Sequence, residues 1–529
     1  MKSLRRQRAT RATGRGRHRR HAGARALVRS RPRAAAAVPV PLSLVRPRAP
    51  TAAPPVGPPA YEWLSAEDRM FLRFEGPNAH MHVGAMLSFA GGGLVRRSGE
   101  VDLRRVRQHI AATLHAIPRY RQRLHWAPGD GAPIWVDDAR FDLAAHVRHV
   151  RLAPPGDEAA LHRLVSRLLS QRLDRSRPLW EMWVVDGLAG GRFAIVSKTH
   201  HCMVDGIAGA DLLPLLLSPM EGGAIQRAPH WAPRPAPSAS QLVRDRIARQ
   251  AQAGRAAASE VWRVARQPGV LGAWSRSAAG FWKAVGLGVR PAPDSPINRP
   301  IGPHRRFAWF AVELDAVKQI KNQLGGTVND VVLATVAGGL RRFLLQRAPD
   351  ERPVDLRALV PVSTRAAGEP SALGNHVAAW IMPLPVAEAL PQERLARVRA
   401  STAALRGAHD GVGAEMLTGA GSRLLGLAVR LVERLRPFNV VITNVPGPPI
   451  PLYLLNAQLE SVYPLVPLFP KQGLGVAVFS YAGTLGWGFN ADCHVVPDVD
   501  ALVDATRVAF GELAALAAVS GEGAALSAP

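Results

Sequence analysis

The chain has 529 residues, 47% hydrophobic and 20% charged, which excludes both a single ordinary core and a wholly disordered protein. Its two cysteines, Cys202 and Cys493, exclude a disulfide scaffold and stand too far apart for a metal-ligand pair, as suits a reducing compartment. A formal charge of +27 asks for an anionic partner or a compositional explanation.

The charge is unevenly placed. The first fifty residues hold 15 Lys and Arg and no acid, and the first acidic residue is Glu62. Residues 1–58 are rich in Arg, Ala and Pro and nearly lack aromatics. Burial cannot offset their ordering entropy, so a disordered basic arm is expected. Such an arm suits phosphate, on nucleic acid or on lipid headgroups. A compositional reading competes: 61 Arg against 6 Lys is what GC-rich codon usage gives, and the arm would then extend upstream of the true start. No apolar segment of signal-peptide length follows the basic run.

Beyond the arm, Ser65-Ala66-Glu67-Asp68 ahead of Met70-Phe71-Leu72 predicts a capped helix start. A strand over 82–89, a helix over 102–114 ended by Pro118, and a short hairpin around Ile134-Trp135-Val136 follow. Next come an amphipathic helix over 161–173, strands at 183–185 and 193–199, and a helix over 208–217. These make one α+β unit, 59–218. Residues 219–300 turn Pro- and Ala-rich and then basic and helical, with Val243, Ile247, Val261 and Val264 among arginines, and read as a linker with cationic amphipathic helices. The second unit, 301–520, is predicted to hold strands at 307–312, 356–362, 377–382 and 440–442, a long apolar helix over 328–345 and a final helix over 499–516. Residues 521–529 are a tail. The uncharged stretch from Gly473 to Ala491 alternates like two strands around an Ala482-Gly483 turn, which predicts a hairpin and no membrane span. A soluble or peripheral protein is expected.

The sharpest feature is His200-His201-Cys202-Met203-Val204-Asp205-Gly206, after a strand and before an apolar helix. Adjacent side chains on extended backbone point to opposite sides, so one histidine faces a given cavity and the other packs behind it. An imidazole near neutrality suits a general base that takes a hydroxyl proton. Asp205 would fix the turn or pair with an arginine, and Gly206 permits a backbone that a β-carbon resists. A zinc site would want a further ligand at His-Glu-x-x-His spacing, and a serine hydrolase a Gly-x-Ser-x-Gly; neither is present. Cys202 reads as a small packing residue, with a nucleophilic role as the alternative. His80-Met81-His82 puts two imidazoles on one strand face and reads as the lead-in to a strand, not a metal site.

The pattern His-His-x-x-x-Asp-Gly resembles the signature of the CoA-dependent acyltransferase superfamily. Pro178-Leu179-Trp180-Glu181, after Leu173-Asp174-Arg175-Ser176-Arg177, narrows the resemblance. So do Asn329-Asp330-Val331-Val332-Leu333-Ala334, Val360-Pro361-Val362-Ser363-Thr364-Arg365, Leu373-Gly374-Asn375 and Asn444-Val445-Pro446-Gly447-Pro448. With Met81-His82-Val83-Gly84 and Pro118-Arg119-Tyr120-Arg121-Gln122-Arg123, the chain resembles, over roughly residues 61–515, the bacterial wax ester synthase/diacylglycerol O-acyltransferase family.

The resemblance implies an α+β fold of two chloramphenicol-acetyltransferase-like domains joined by a helical linker, with the active-site tunnel at their interface. It implies transfer of an acyl group from acyl-CoA, a substrate, to diacylglycerol or a long-chain alcohol, with no cofactor and no covalent enzyme intermediate. His201 would be the base, His200 and Asp205 would support its loop with Gly206, and Asn329 and Asp330 would close the site from the second domain. Asn329 and Ser363 are both candidates for the oxyanion donor, and Pro178-Leu179-Trp180 is read as structural. The segment from Ser422 to Arg436, leucines and valines among arginines, is either a docked surface helix or an interfacial one that brings the enzyme to a membrane or lipid droplet. The expected location is cytoplasmic, peripheral to the inner face of the plasma membrane or to lipid inclusions. Three alternatives compete: another hydroxyl acceptor such as a polyketide or sterol, an inactive relative, and a basic nucleic-acid-binding protein. No zinc finger, RNA-recognition or helix-turn-helix signature accompanies the charge, so no specific nucleic-acid partner is expected.

Overall fold

A computed structural model describes residues 61–129, 131–203, 216–223, 225–265, 291–363, 377–409 and 436–526. The basic arm lies outside them, as do most of the helix expected over 208–217 and all but the last residue of the Ser422–Arg436 segment.

The first half opens with β1 (Tyr61–Trp63) and α1 (Ala66–Phe74), whose N-cap Ser65 accepts the Asp68 amide. It continues with β2 (His82–Phe89), α2 (Leu103–Thr113), β3 (Gln122–Trp126), β4 (Pro133–Asp137), β5 (Val147–Arg151), α3 (Glu158–Ser170), β6 (Trp180–Asp186) and β7 (Phe193–His200). Helix α4 (Ala239–Ala265) lies in the linker region. The second half runs β8 (Arg305–Glu313), α5 (Leu314–Leu324), α6 (Val328–Arg347), β9 (Leu356–Ser363), β10 (Val377–Leu384), α7 (Pro391–His409) and β11 (Val440–Pro446). It ends with β12 (Tyr453–Leu454), β13 (Ala457–Leu465), β14 (Leu474–Tyr481), β15 (Thr484–Asp492) and α8 (Val499–Leu526).

Two six-stranded sheets form the frame, in the orders β12-β13-β2-β7-β6-β5 and β10-β9-β11-β14-β15-β8, beside a small β1-β4-β3 sheet. Strand β7 is buried on both faces, as its unbroken apolar start Phe193-Ala194-Ile195-Val196 requires. On one face Val106 and Ile110 of α2 pack against Phe89, Phe193 and Ile195. On the other, Leu161, Val165 and Leu168 of α3 join Ala194 and Val196 to Phe307 and Trp309 of β8, so α3 is wedged between the two sheets. In the second half α6 is buried over most of its length, from Asp330 to Leu340, and serves as the core helix of its sheet.

The halves are not laid end to end. Strand β13, which the sequence reading places within 301–520, pairs antiparallel with β2 and so completes the sheet of the first half. It also crosses β15 at close range. A β-carbon on Gly486 would stand 2.1 Å from the Val462 carbonyl oxygen, and one on Gly488 2.0 Å from that of Pro464. Glycine is required there because backbone lies directly on backbone.

A buried ion pair ties the same seam. Arg305 at the start of β8 is 3.3 Å from Asp492 at the end of β15, and it donates to the Asn78 carbonyl just ahead of β2. The Arg305 amide donates to Ser170 Oγ at the end of α3 (2.8 Å).

Candidate active site

The paired histidines sit where β7 ends. His200 is the last strand residue, opposite His82 of β2, and its amide donates to the Leu179 carbonyl (2.9 Å). The strand alternation stops there. His201 opens a 3-10 turn, His201–Met203, and its amide donates to the Met81 carbonyl (2.9 Å). Met81 has φ +49°, an uncommon backbone for a residue with a β-carbon, and this lets it reach under the turn. The two rings therefore leave the backbone in different settings. His200 is 1% exposed, whereas His201 is only partly buried.

The His201 ring stacks on Phe71 of α1 at 3.6 Å between centroids, with the planes 18° apart. Its Nδ1 is sealed from solvent without a hydrogen-bond partner, which leaves Nε2 as the nitrogen for a substrate proton. Burial lowers its pKa to about 4, against a smaller opposing contribution from its own carbonyl and with help from His200. The ring is thus neutral at pH 7, the state a general base needs.

Behind it, His200 Nδ1 accepts the Cys202 amide (3.1 Å), which places the ring proton on Nε2. Nε2 is 3.6 Å from Glu75 Oε2. Glu75, just beyond α1, has a side chain 1% exposed that pairs with Arg175 and lies 3.8 Å from Arg172. Burial works against its charge, but His200 and Arg175 outweigh that and hold the carboxyl below its usual range. Lys198 is buried too, donating to the Leu168 and Gln171 carbonyls (3.0 and 2.8 Å) at the end of α3 and lying 3.4 Å from Glu181. The Cys202 thiol is pushed well up by burial, which makes it a packing group and a poor nucleophile.

His80 and His82 line the same wall, their ring centroids 5.4 Å apart. Burial lowers His80 to about 4, with Arg305 adding to the effect, and takes His82 well below its ordinary value. Among the described residues no group of three or more His, Cys, Asp or Glu is placed to hold a metal ion. Histidines that stay neutral in the fold but titrate near 6.5 when unfolded give the unfolded state more protons. Stability is therefore full above about pH 6.5 and falls as pH drops towards 4. Urea midpoints at pH 7, 6 and 5 should fall in that order. A His80→Gln variant should flatten the trend, and equal midpoints in the parent protein would refute it.

Of the residues expected at the site, the structure places His200 and His201 on one turn, while Asp205 and Gly206 lie outside the described residues. Asp330 is buried at the start of α6. One carboxylate oxygen accepts from the Thr327 amide and hydroxyl (2.8 Å each), and the other from Thr402 (2.8 Å). This is a capping box that anchors α6 to α7, so Asp330 serves the frame; Asn329 beside it is half-buried. The side chain of Ser363 is outside the described set. Leu179 and Trp180 are structural: one carbonyl receives the His200 amide and the Trp180 indole donates to the Tyr120 carbonyl (2.8 Å).

Sequence reasoning missed Phe71 and Glu75. Phe71 is read there only as an apolar position of a helix start, and nothing local marks Glu75 as the partner of a histidine 125 positions later.

A histidine pair closing a central strand, in a molecule of two mixed six-stranded sheets, is the arrangement of the chloramphenicol-acetyltransferase-like fold class. Solved structures agree. The first condensation domain of the calcium-dependent antibiotic synthetase shares the fold (TM-score 0.53, 17% identity, 87% of this chain and 96% of that one). The wax ester synthase/diacylglycerol acyltransferase from Marinobacter aquaeolei VT8 matches with TM-score 0.61 and 26% identity over 86% of this chain and all of that one. The wax ester synthase/diacylglycerol acyltransferase catalytic domain matches residues 64–332, and the C-terminal domain of the same family matches 373–514. A probable diacylglycerol O-acyltransferase of Mycobacterium tuberculosis H37Rv is 34% identical over 464 residues, covering 86% of this chain and 96% of its own length. The chain belongs to the wax ester synthase/diacylglycerol acyltransferase family, and is an acyltransferase.

Proposed function

We propose that the enzyme esterifies diacylglycerol with the acyl group of acyl-CoA, giving triacylglycerol and CoA, with His201 as the general base and long-chain alcohols as second acceptors. The observation that carries this is the neutral, partly open His201 ring held between the β7 turn and Phe71. His201 Nε2 takes the acceptor's hydroxyl proton as its oxygen attacks the thioester carbonyl. The tetrahedral intermediate then collapses, the C–S bond breaks, and the CoA thiolate takes the proton from the imidazolium. The names of the relatives support diacylglycerol as acceptor. The test is CoA release by the purified full chain from palmitoyl-CoA with dioleoylglycerol or hexadecanol. Release that depends on dioleoylglycerol is expected; release with hexadecanol alone would reassign the acceptor, and none with either would refute the reading.

Such a product is insoluble, so contact with a lipid surface at the cytoplasmic face or at lipid inclusions belongs to the same proposal. No helix among the described residues is long and apolar enough to cross a membrane. Helix α4 supports peripheral contact. Leu242 anchors it on the small sheet, while Ile247 and Trp262 stand exposed among Arg244, Arg246, Arg249 and Arg255. The chain should co-sediment with phosphatidylglycerol-containing vesicles and far less with pure phosphatidylcholine, and Arg244→Glu with Arg255→Glu should weaken the difference. Equal sedimentation with both vesicles would count against it.

A further inference from the structure

Removing the His201 imidazole tests the base, but the buried groups behind it are not accounted for by acyl transfer itself. The Glu75 side chain is 1% exposed, a carboxylate withdrawn from water behind His200. Burying such a charge costs free energy unless it is paired, and an ion pair with Arg175 alone would be met more cheaply at the surface. Its third neighbour is His200 Nε2 at 3.6 Å, and that nitrogen has no other partner. On its other side the same ring accepts the Cys202 amide, inside the turn that begins at His201.

We infer that Glu75 is a positioning residue for acyl transfer: its carboxylate selects the His200 tautomer protonated on Nε2, leaving Nδ1 to accept the Cys202 amide and set the turn that aims His201. If the proton sat on Nδ1, that nitrogen would face the Cys202 N–H as donor against donor and the turn would lose its inner bond. The 3.6 Å contact is long for a hydrogen bond, as such contacts often are before substrate binds and tightens the site. Against the cost of burial, His200 and then Arg175 keep Glu75 ionised, which gives Leu173-Asp174-Arg175-Ser176-Arg177 a part in the site that the position of its residues in the sequence does not disclose. His201 is held from the other side by Phe71, four residues before Glu75, so α1 and its C-terminal residue touch both histidines.

The inference rests on the acyltransferase reading, and its test separates the two. Two variants of the full chain are compared with the parent, using palmitoyl-CoA and dioleoylglycerol. Glu75→Leu removes the acceptor for Nε2–H. Glu75→Gln removes the charge but keeps an amide oxygen that can accept. A misplaced base costs up to about 10²-fold in rate, so Glu75→Leu should lower kcat roughly 10- to 100-fold while KM for both substrates stays within about two-fold. Glu75→Gln should recover most of that loss. A role confined to the Arg175 ion pair would make the two variants equally poor, and that result overturns the inference. So does an unchanged kcat in folded Glu75→Leu. Because Glu75→Leu removes the counter-charge of Arg175, its folded fraction is measured by urea titration and rates are given per folded molecule. Histidine-selective nitrogen NMR adds a readout independent of turnover: His200 should be protonated on Nε2 in the parent and in Glu75→Gln but not uniformly so in Glu75→Leu. If the parent shows no turnover with either acceptor, the functional reading fails, while the tautomer measurement still decides the role of Glu75.

Discussion

His201→Ala is expected to lower acyl transfer by ~10²–10⁴-fold, the contribution typical of a general base, with the fold intact. The ring makes no hydrogen bond through Nδ1 and stacks on Phe71, so its loss opens a small gap beside α1 without stranding a buried charge. CoA release from palmitoyl-CoA and dioleoylglycerol, beside a urea titration, measures both effects. A loss below about ten-fold in folded protein would remove His201 from the role of base. His200→Ala is a different experiment, because that ring also receives the Cys202 amide, and its effect on stability should exceed that of His201→Ala.

Asp492→Ala should be the most destabilising single change at the seam between the sheets, by ~3–5 kcal/mol. Asp492 is fully buried. Its Oδ2 accepts the Gly302 amide at 2.8 Å and faces Arg305, while its Oδ1 accepts the His494 and Val495 amides at 3.0 and 3.1 Å. Removal leaves the Arg305 guanidinium, 5% exposed, with carbonyl acceptors but no counter-charge, where burial already depresses its pKa and Asp492 is the main offset. Arg305→Met with Asp492→Asn removes both charges but keeps an amide oxygen for the backbone donors, and should recover part of the loss. Urea midpoints of the single and double variants decide it. A single-variant cost under about 1 kcal/mol would mean that the pair contributes little to the seam.

Much of the local structure was legible. The strand expected over 82–89 is β2 with the same limits, and the one over 193–199 is β7 extended by His200. The hairpin around Ala482-Gly483 is β14 and β15, whose turn residues have φ +43° and +86° as such a turn demands. In each case the periodicity of apolar residues, or the turn chemistry, lies within a few positions and needs no partner. Strand β5 has no two-residue period to mark it: Val147 and Val150 are three apart, so they face opposite sides, and Arg148, His149 and Arg151 are polar. The capping box at Thr327 and Asp330 is legible as Thr-x-x-Asp in the residues that the resemblance assigns to the site.

The family and the pair of histidines follow from the order of residues alone, because they rest on contiguous motifs; that the His201 ring is neutral follows from its burial. Tertiary structure alone decided which sheet β13 joins, that glycines 486 and 488 let it lie against β15, and that Glu75 closes on His200. The physical reason is range. Backbone periodicity and capping are set by neighbours along the chain, whereas strand partners and buried ion pairs depend on which distant segments exclude water together.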